Sequence, residues 1–390
     1  MKLLIFSNFY WPQPGGTQAV VLELARGFST WHKTRAGDEP IKVTVATQEE
    51  RTWSEDAAQP FALVRAPSRS RLKQLIREAD LVHIAGAALA PLVLCVLHGK
   101  KFVVEHHAFH AACPNGQFFY EPAPSLCSGH FMARRYGECL RCNRANMGLK
   151  NSAAQIPLSG IRRWLCNRAA VNILPTEWLG TILKLDRMQT IHHGIPAAPR
   201  FTQVASGSTT CFGFQGRLVT TKGIRVLLGA VRQLQKENRA FRLKIIGDGP
   251  ELEKLKASVA QCGAKVEFLG YVPDHRLPEA MADVSAVVMP SLAGEVFGLV
   301  AAENMLQGRL VIVSDLGSLK EVVGETGLVF RNGDAADLAA RMGEVMDQRP
   351  LAASLSANAR LRAQQAFDLQ IMIEHHINIY RSVLARETAR

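Results

Sequence analysis

The sequence predicts an α/β fold made of two doubly wound, Rossmann-like parallel-sheet domains. Three observations carry this expectation. The chain has 390 residues, long for one hydrophobic core and natural for two. Hydrophobic residues make up 47% and charged residues 21%, the balance of a globular protein and not of a disordered one. Short apolar strands alternate with helical stretches in both halves, the pattern of parallel sheets with helices on both faces.

The elements follow in order. In the first half, strands are predicted at Leu3–Phe6, Lys42–Thr47, Ala62–Arg65, Leu81–Ile84, Phe102–Glu105 and Ala170–Leu174, with helices such as Ala19–Ser29 and Arg71–Glu78 between them. The apolar run Ile84–Leu97, 14 residues long, is shorter than the about 20 that a membrane span needs and reads as a buried helix. In the second half, strands are predicted at Thr210–Phe214, Leu243–Ile246, Val266–Phe268, Ala286–Met289 and Leu310–Val313, with helices at Gly223–Glu237, Pro250–Cys262 and Leu299–Gln307. The stretch His192–Ser206 has a linker-like content of Gly and Pro. It divides the chain into an N-terminal domain (1–195), a second domain (196–366) and a C-terminal amphipathic helix (367–390) expected to cross back to the first. No repeat of solenoid length is evident.

Charge and cysteines narrow the partners. The net charge of +12 suits a polyanionic partner: a nucleoside diphosphate, an anionic membrane surface or a nucleic acid. It is concentrated in 131–170, where Arg134, Arg135, Arg141, Arg144, Lys150, Arg162, Arg163 and Arg168 face one acid, Glu138. Aromatic and basic residues do not interleave there as in a nucleic-acid binder, so no nucleic acid is expected. The start, Met1–Phe6, lacks a signal-peptide pattern and reads as a first buried strand. A cytoplasmic protein is expected, peripheral at most on the inner face of the plasma membrane. In such a setting the eight cysteines are not expected to form disulfides. Cys95, Cys166, Cys211 and Cys262 read as core residues. Cys113, Cys127, Cys139 and Cys142 cluster in an insertion at about 110–150, and the last two form Cys-x-x-Cys. A structural zinc, and reduced thiols or a facultative disulfide, are both open readings of that cluster, with a catalytic or redox role the remaining one.

Ligands of open parallel sheets bind beyond the carboxyl ends of the strands, so the residues just after strands are the informative ones. Gly294-Glu295-Val296-Phe297-Gly298-Leu299-Val300-Ala301-Ala302-Glu303 follows the Ala286–Met289 strand. A helix N-terminus opening at Phe297-Gly298-Leu299 offers free N–H groups to a diphosphate. The two carboxylates can accept hydrogen bonds from vicinal hydroxyls, although ordinary acids on a capped helix would look the same. Gly247-x-Gly249 lacks the third glycine of a dinucleotide fingerprint and reads as a structural turn. The pair Gly15-Gly16, after the first strand, can admit close approach of a phosphate or acceptor. Glu105-His106-His107-Ala108-Phe109-His110 places three histidines close together. Consecutive positions at a strand end point in different directions, which disfavours a metal held by those three alone.

The Glu-x7-Glu segment resembles the signature of glycosyltransferase family 4, retaining enzymes of GT-B architecture, in a subgroup with a Cys-rich insertion. Phe212–Leu218 with Lys222-Gly223, Lys244–Pro250, Val266–Val272, and Gly308 with Val311–Asp315, Gly317 and Glu321 match its other stretches in order. The resemblance implies two domains facing across a cleft. It implies transfer of a sugar from a nucleoside diphosphate sugar to a hydroxyl acceptor, a glycan or lipid-linked glycan as in cell-surface polysaccharide synthesis. It implies that no cofactor is required: Arg217 and Lys222 neutralise the leaving diphosphate. Glu303 holds the ribose, Glu295 with the backbone of Phe297, Gly298 and Leu299 holds the donor sugar, and Tyr271 and Val272 lie by the base. Gly16 and His107 are the contacts on the first domain; Ala108 stands where relatives often have an aspartate. An epimerase or phosphorylase of the same architecture is the alternative enzyme, and a basic nucleic-acid-binding protein the alternative without catalysis.

Overall fold

A computed structural model describes residues 1–34, 40–197, 209–260 and 266–385. In chain order the elements are β1 (Lys2–Ser7), α1 (Gly16–Thr34), β2 (Lys42–Thr47), β3 (Ala62–Arg65), α2 (Arg69–Glu78), β4 (Leu81–Ala85), α3 (Leu89–Leu97), β5 (Phe102–Glu105), β6 (Phe119–Tyr120), β7 (Ser125–Leu126) and α4 (Tyr136–Cys166). There follow β8 (Val171–Leu174), α5 (Glu177–Leu183), β9 (Met188–Thr190), β10 (Thr210–Gln215), α6 (Ile224–Lys236), β11 (Phe241–Ile246), α7 (Leu252–Ala260), β12 (Val266–Gly270), α8 (Leu277–Ala280) and β13 (Ala286–Met289). The chain closes with α9 (Leu299–Leu306), β14 (Leu310–Ser314), α10 (Gly317–Val323), β15 (Leu328–Phe330), α11 (Ala335–Asp347), α12 (Arg349–Ala366) and α13 (Leu369–Ala385). They fall into two compact units. The first comprises 1–117, 129–196 and 368–390, the second 118–128 and 197–367.

The first unit holds a sheet of order β3-β2-β1-β4-β5-β8-β9, with every pairing parallel. All five residues of β4 and all four of β5 are buried, as both faces of a parallel sheet must be when helices cover them. The apolar run Ile84–Leu97 is not one helix. Ile84 and Ala85 end β4, Gly86 turns with φ +86°, and α3 begins only at Leu89. Sheet pairing wins because Ile84 and Ala85 continue the register with Val104 and Glu105. The C-terminal helix α13 packs on α1, where Gly27 leaves room for Ile373 and Phe28 meets Tyr380 edge-on at 5.3 Å. The helix α4 is interrupted by Gly148 at φ +72°. Of the core cysteines, Cys95, Cys166 and Cys211 are buried, while Cys262 lies outside the described residues, as does most of the expected linker.

The second unit repeats the plan with the order β12-β11-β10-β13-β14-β15, again parallel throughout. Phe212, Leu243, Val288 and Ile312 of the strands pack against Leu227 and Val231 of α6 and Leu338 and Met342 of α11. The antiparallel hairpin β6–β7, part of the Cys-rich insertion, belongs to this unit and buries Phe119 against Leu292 and Ala293. In both sheets the strand order reverses beside the first strand, between β1 and β4 and between β10 and β13. Such a switch point opens a crevice at the strand ends.

Candidate active site

The crevice of the second unit is built by the segments that leave β10 and β13. After β10, Gly216 donates its amide to Ile246 O and Leu218 to Asp248 O. This turn leaves Arg217 exposed. A short 3-10 turn, Thr220–Lys222, carries the chain to Gly223, which starts α6 with φ +66°. A Cβ there would stand 1.7 Å from Pro290 O, so only glycine lets this turn lie against the segment leaving β13. The contact is reinforced where Leu292 N donates to Thr221 O at 2.8 Å.

Lys222 is thereby aimed at Glu295, and Nζ forms an ion pair with Oε1. The Ser291 hydroxyl donates to the same oxygen at 3.0 Å, and Ser318 holds the Glu295 carbonyl at 2.9 Å. The Glu295 side chain is 10% exposed and the Lys222 side chain 31%. A buried carboxylate is thus balanced by an ammonium that solvent, or a ligand, still reaches. Gly298 precedes α9 with φ +104°, where a Cβ would stand 2.5 Å from Leu319 Cδ2. The amides just inside α9 have no acceptor within the helix and suit an anion. The Phe297 side chain is not part of this surface. It is buried edge-on against Phe367 at 5.3 Å, so any ligand meets Phe297 through its backbone.

Glu303 lies one turn into α9. Burial, assisted by the negative charge of Asp274, pushes its carboxyl up to about 7. Asp274 follows Tyr271 and Val272 at the end of β12, and the Tyr271 side chain is 59% exposed. The second unit therefore brings Lys222, Glu295 and the α9 N-terminus together at the switch point, and the loop after β12 comes within electrostatic reach of Glu303.

In the first unit Gly16 is the exposed first residue of α1. His107 is part of a buried cluster around Glu105, the last residue of β5. Glu105 Oε2 faces Nε2 of His83 at 3.1 Å and Nε2 of His107 at 3.5 Å, while Oε1 faces Nδ1 of His193 at 3.5 Å and Nε2 of His376 at 3.7 Å. Burial pushes the Glu105 carboxyl up, but the charge of His107 and contacts from His107, His376 and His83 outweigh it and hold the group well below its usual range. Burial pushes His83 down and His193 down to about 3. His106 points elsewhere, with Nε2 2.9 Å from Asn172 Oδ1. His83, His193 and His376 carry no sequence signal: they lie far apart along the chain, and only the fold assembles them.

Among the described residues, the sets of three or more metal-ligating side chains within 4.8 Å are His83–Glu105–His376 and Glu105–His107–His193. No cysteine belongs to either. Cys113, Cys139 and Cys142 are buried in the first unit and Cys127 lies in the second. The Cys113 thiol donates to Asn115 Oδ1 at 3.0 Å. Part of the basic stretch is also committed internally. Arg162 donates to Ala87 O at 2.8 Å, Arg163 to the carbonyls of Leu183 and Lys184, and Arg168 stacks on Trp164 at 4.3 Å. No helix among the described residues is long and apolar enough to cross a membrane.

Residues 200–362 match the family model described as Glycosyl transferases group 1. The match spans β10 to α12 and takes in the whole switch-point crevice of the second unit. Over these residues the second unit resembles the group 1 glycosyl transferases. A relative named 2-deoxystreptamine glucosyltransferase, from Streptomyces kanamyceticus, is 31% identical over 236 residues, 54% of this chain and 60% of its own. A phosphatidyl-myo-inositol mannosyltransferase of Mycobacterium leprae is 28% identical over 239 residues, 57% of this chain and 62% of its own. The chain thus spans less than two thirds of the length of these relatives. Among solved structures, Anabaena HepE in complex with UDP has a TM-score of 0.74 at 18% identity, covering 98% of this chain and all of that one. Sucrose-phosphate synthase from Thermosynechococcus elongatus has a TM-score of 0.72 at 18% identity, covering 99% of each chain. The fold is GT-B, two Rossmann-like parallel-sheet units.

Proposed function

We propose that the chain is a retaining glycosyltransferase that moves a hexose-type sugar from a nucleoside diphosphate sugar to a hydroxyl of a glycan or lipid-linked glycan. The observation that carries this reading is the Lys222–Glu295 pair at the β10/β13 switch point. A diphosphate drawing Lys222 away leaves Glu295 as an acceptor for sugar hydroxyls. Lys222 and the exposed Arg217 then stabilise charge on the departing nucleotide, where transition-state stabilisation is largest, and this step needs no metal. The α9 amides at Gly298 and Leu299 take the phosphate or the sugar, with the Phe297 backbone beside them. Glu303 accepts from the ribose, and backbone at Tyr271 and Val272 meets the base. On the first unit, the Gly16 amide serves a phosphate or the acceptor. With Nε2 of His107 turned to Glu105, its Nδ1 is the atom left for a sugar hydroxyl. Attack on the face that the nucleotide leaves, with the leaving phosphate taking the acceptor proton, gives retention.

Because a structure of the same fold holds UDP, UDP-sugars come first in the test. Products of a UDP-, GDP- and ADP-sugar panel with glycan and lipid-linked acceptors are read by NMR. An α-linked product from an α-linked donor supports the reading. An inverted product, or epimerised or phosphorolysed sugar without transfer, refutes it. A lipid-linked acceptor also suits the exposed Leu149, Ile161 and Trp164 of α4, which would rest on an anionic bilayer. Sedimentation with liposomes checks this, and binding indifferent to lipid charge counts against it.

A further inference from the structure

The cluster around Glu105 does more than the proposed transfer requires. His83 on β4, Glu105 on β5 and His376 on α13 all have side chains that are 0% exposed. Their facing atoms are His83 Nε2, His376 Nε2 and both Glu105 oxygens, and none of these has a hydrogen-bond partner. Four polar atoms at one buried point that meet only one another, and not in hydrogen-bonding geometry, are costly unless something occupies the space between them.

The far nitrogens of the two rings are, by contrast, held. His376 Nδ1 lies 2.8 Å from Met372 O. A carbonyl only accepts, so that nitrogen carries the proton. With Nδ1 engaged in this way, Nε2 is the nitrogen that His376 turns toward the Glu105 carboxylate, the position from which it can ligate a cation set between them. His83 Nδ1 lies 2.7 Å from the Tyr380 hydroxyl, which likewise leaves Nε2 to face Glu105. An imidazole steadied through one nitrogen by a carbonyl or hydroxyl, with the other directed at a shared point, is the arrangement that orients metal ligands.

The separations agree. Ligands bound at about 2.0–2.1 Å around a tetrahedral ion stand roughly 3.3–3.5 Å apart. His83 Nε2 stands 3.1 Å from Glu105 Oε2 and His376 Nε2 3.7 Å from Oε1, near that spacing, and the ligand atoms of the three residues all lie within 4.8 Å of one another. Direct charge-assisted hydrogen bonds would close to about 2.7–2.9 Å.

We propose that His83, Glu105 and His376 hold a divalent transition-metal ion, zinc by the character of the donors, which ties α13 to β4 and β5 within the first unit. Two imidazoles and a carboxylate form a donor set that zinc accepts. Glu105–His107–His193, which shares the carboxylate, is the source of a fourth ligand. The ion neutralises a carboxylate that otherwise has only imidazoles for company. This site is separate from Lys222 and Arg217 and takes no part in neutralising the diphosphate.

The test uses the full chain, purified without chelator and through a tag that contains no histidine. Elemental analysis should find about one zinc per chain in the wild type and in a Cys139→Ser/Cys142→Ser variant, and less than about a tenth of that in His83→Gln and His376→Gln. Should either histidine variant fail to fold, the wild type alone decides. After removal of metal, added zinc should raise its thermal midpoint. Added cobalt(II) should give the visible bands of a low-coordinate site without a near-ultraviolet thiolate charge-transfer band. A folded wild type that takes up neither zinc nor cobalt overturns the proposal. So does a metal that leaves with the cysteines or shows thiolate ligation.

Discussion

Glu105, at the end of β5, and Glu295, in the segment after β13, are both buried, and the two are treated differently. Glu295 is met by one lysine and one serine hydroxyl, at the edge of a crevice that solvent still reaches. Glu105 is ringed by His83, His107, His193 and His376, none of whose side chains is more than 5% exposed. The first arrangement can exchange its partner. A diphosphate can take the ammonium while the Ser291 hydroxyl and incoming sugar hydroxyls keep the carboxylate satisfied. In the second, His83, Glu105 and His376 cannot part without breaking the packing of β4, β5 and α13. Similar ingredients therefore support binding in one unit and architecture in the other, and the degree of sealing decides which.

The comparison is most easily broken at Glu105. Removing Glu105 takes the shared partner from the buried ring nitrogens around it, and leaving a buried polar group unsatisfied costs about 1–3 kcal/mol, so Glu105→Ala should lose about that in denaturant unfolding. A loss below about 1 kcal/mol would mean that the charge is not sealed. Next in size, Lys222→Ala and Glu303→Ala should each lower turnover at least about tenfold, or roughly 1.4 kcal/mol of transition-state stabilisation. Lys222→Ala should lower the unfolding midpoint only modestly, because the Ser291 hydroxyl still donates to Glu295 and solvent reaches the vacated side. Near-normal turnover in both variants would dismantle the crevice assignment.

A smaller effect sharpens the account of Glu303. Its carboxyl is pushed up to about 7 in the folded chain from the ordinary carboxylate range near 4.5. Between these values the folded state keeps a proton that the unfolded state has lost. Stability therefore falls as pH rises through that window and levels off above it. Glu303→Gln removes the penalty and should raise the melting temperature more at about pH 8 than at about pH 5. An equal change at both would show that Glu303 is not desolvated. Smallest of all, Tyr271→Ala should change nucleotide affinity less than about threefold, or under roughly 0.7 kcal/mol, because its ring stands in solvent and only its backbone is assigned to the base. A calorimetric loss much beyond that would place the ring on the base.

What the sequence made legible follows from burial. The central strands β1, β4, β5, β10 and β13 are covered on both faces and read as continuous apolar runs. The edge strands β9 and β15 and the hairpin β6–β7 pair over two or three residues, too few for any period to show. Ile84–Leu97 misled because a buried strand end and a buried helix start are equally apolar, and only Gly86 marks the break. The crevice residues were legible because Lys222-Gly223 and the Glu295–Glu303 spacing are local patterns. The Glu105 cluster was not, since its ligands come from β4, β5, the segment after β9, and α13. The sequence showed adjacent histidines, whereas the fold selects alternate ones: Glu105 and His107 face the cluster, and His106 turns to Asn172.

The central claim is that the second unit holds a nucleoside diphosphate through Lys222 and its neighbours. Thermal denaturation of the wild type and of Lys222→Ala, each with UDP, GDP or ADP, tests it most directly. A diphosphate at about a hundred times its dissociation constant adds roughly 2.7 kcal/mol to stability. At least one of the three should therefore raise the wild-type midpoint by several degrees and raise the Lys222→Ala midpoint much less. No shift with any of them, or equal shifts in both proteins, would contradict the account.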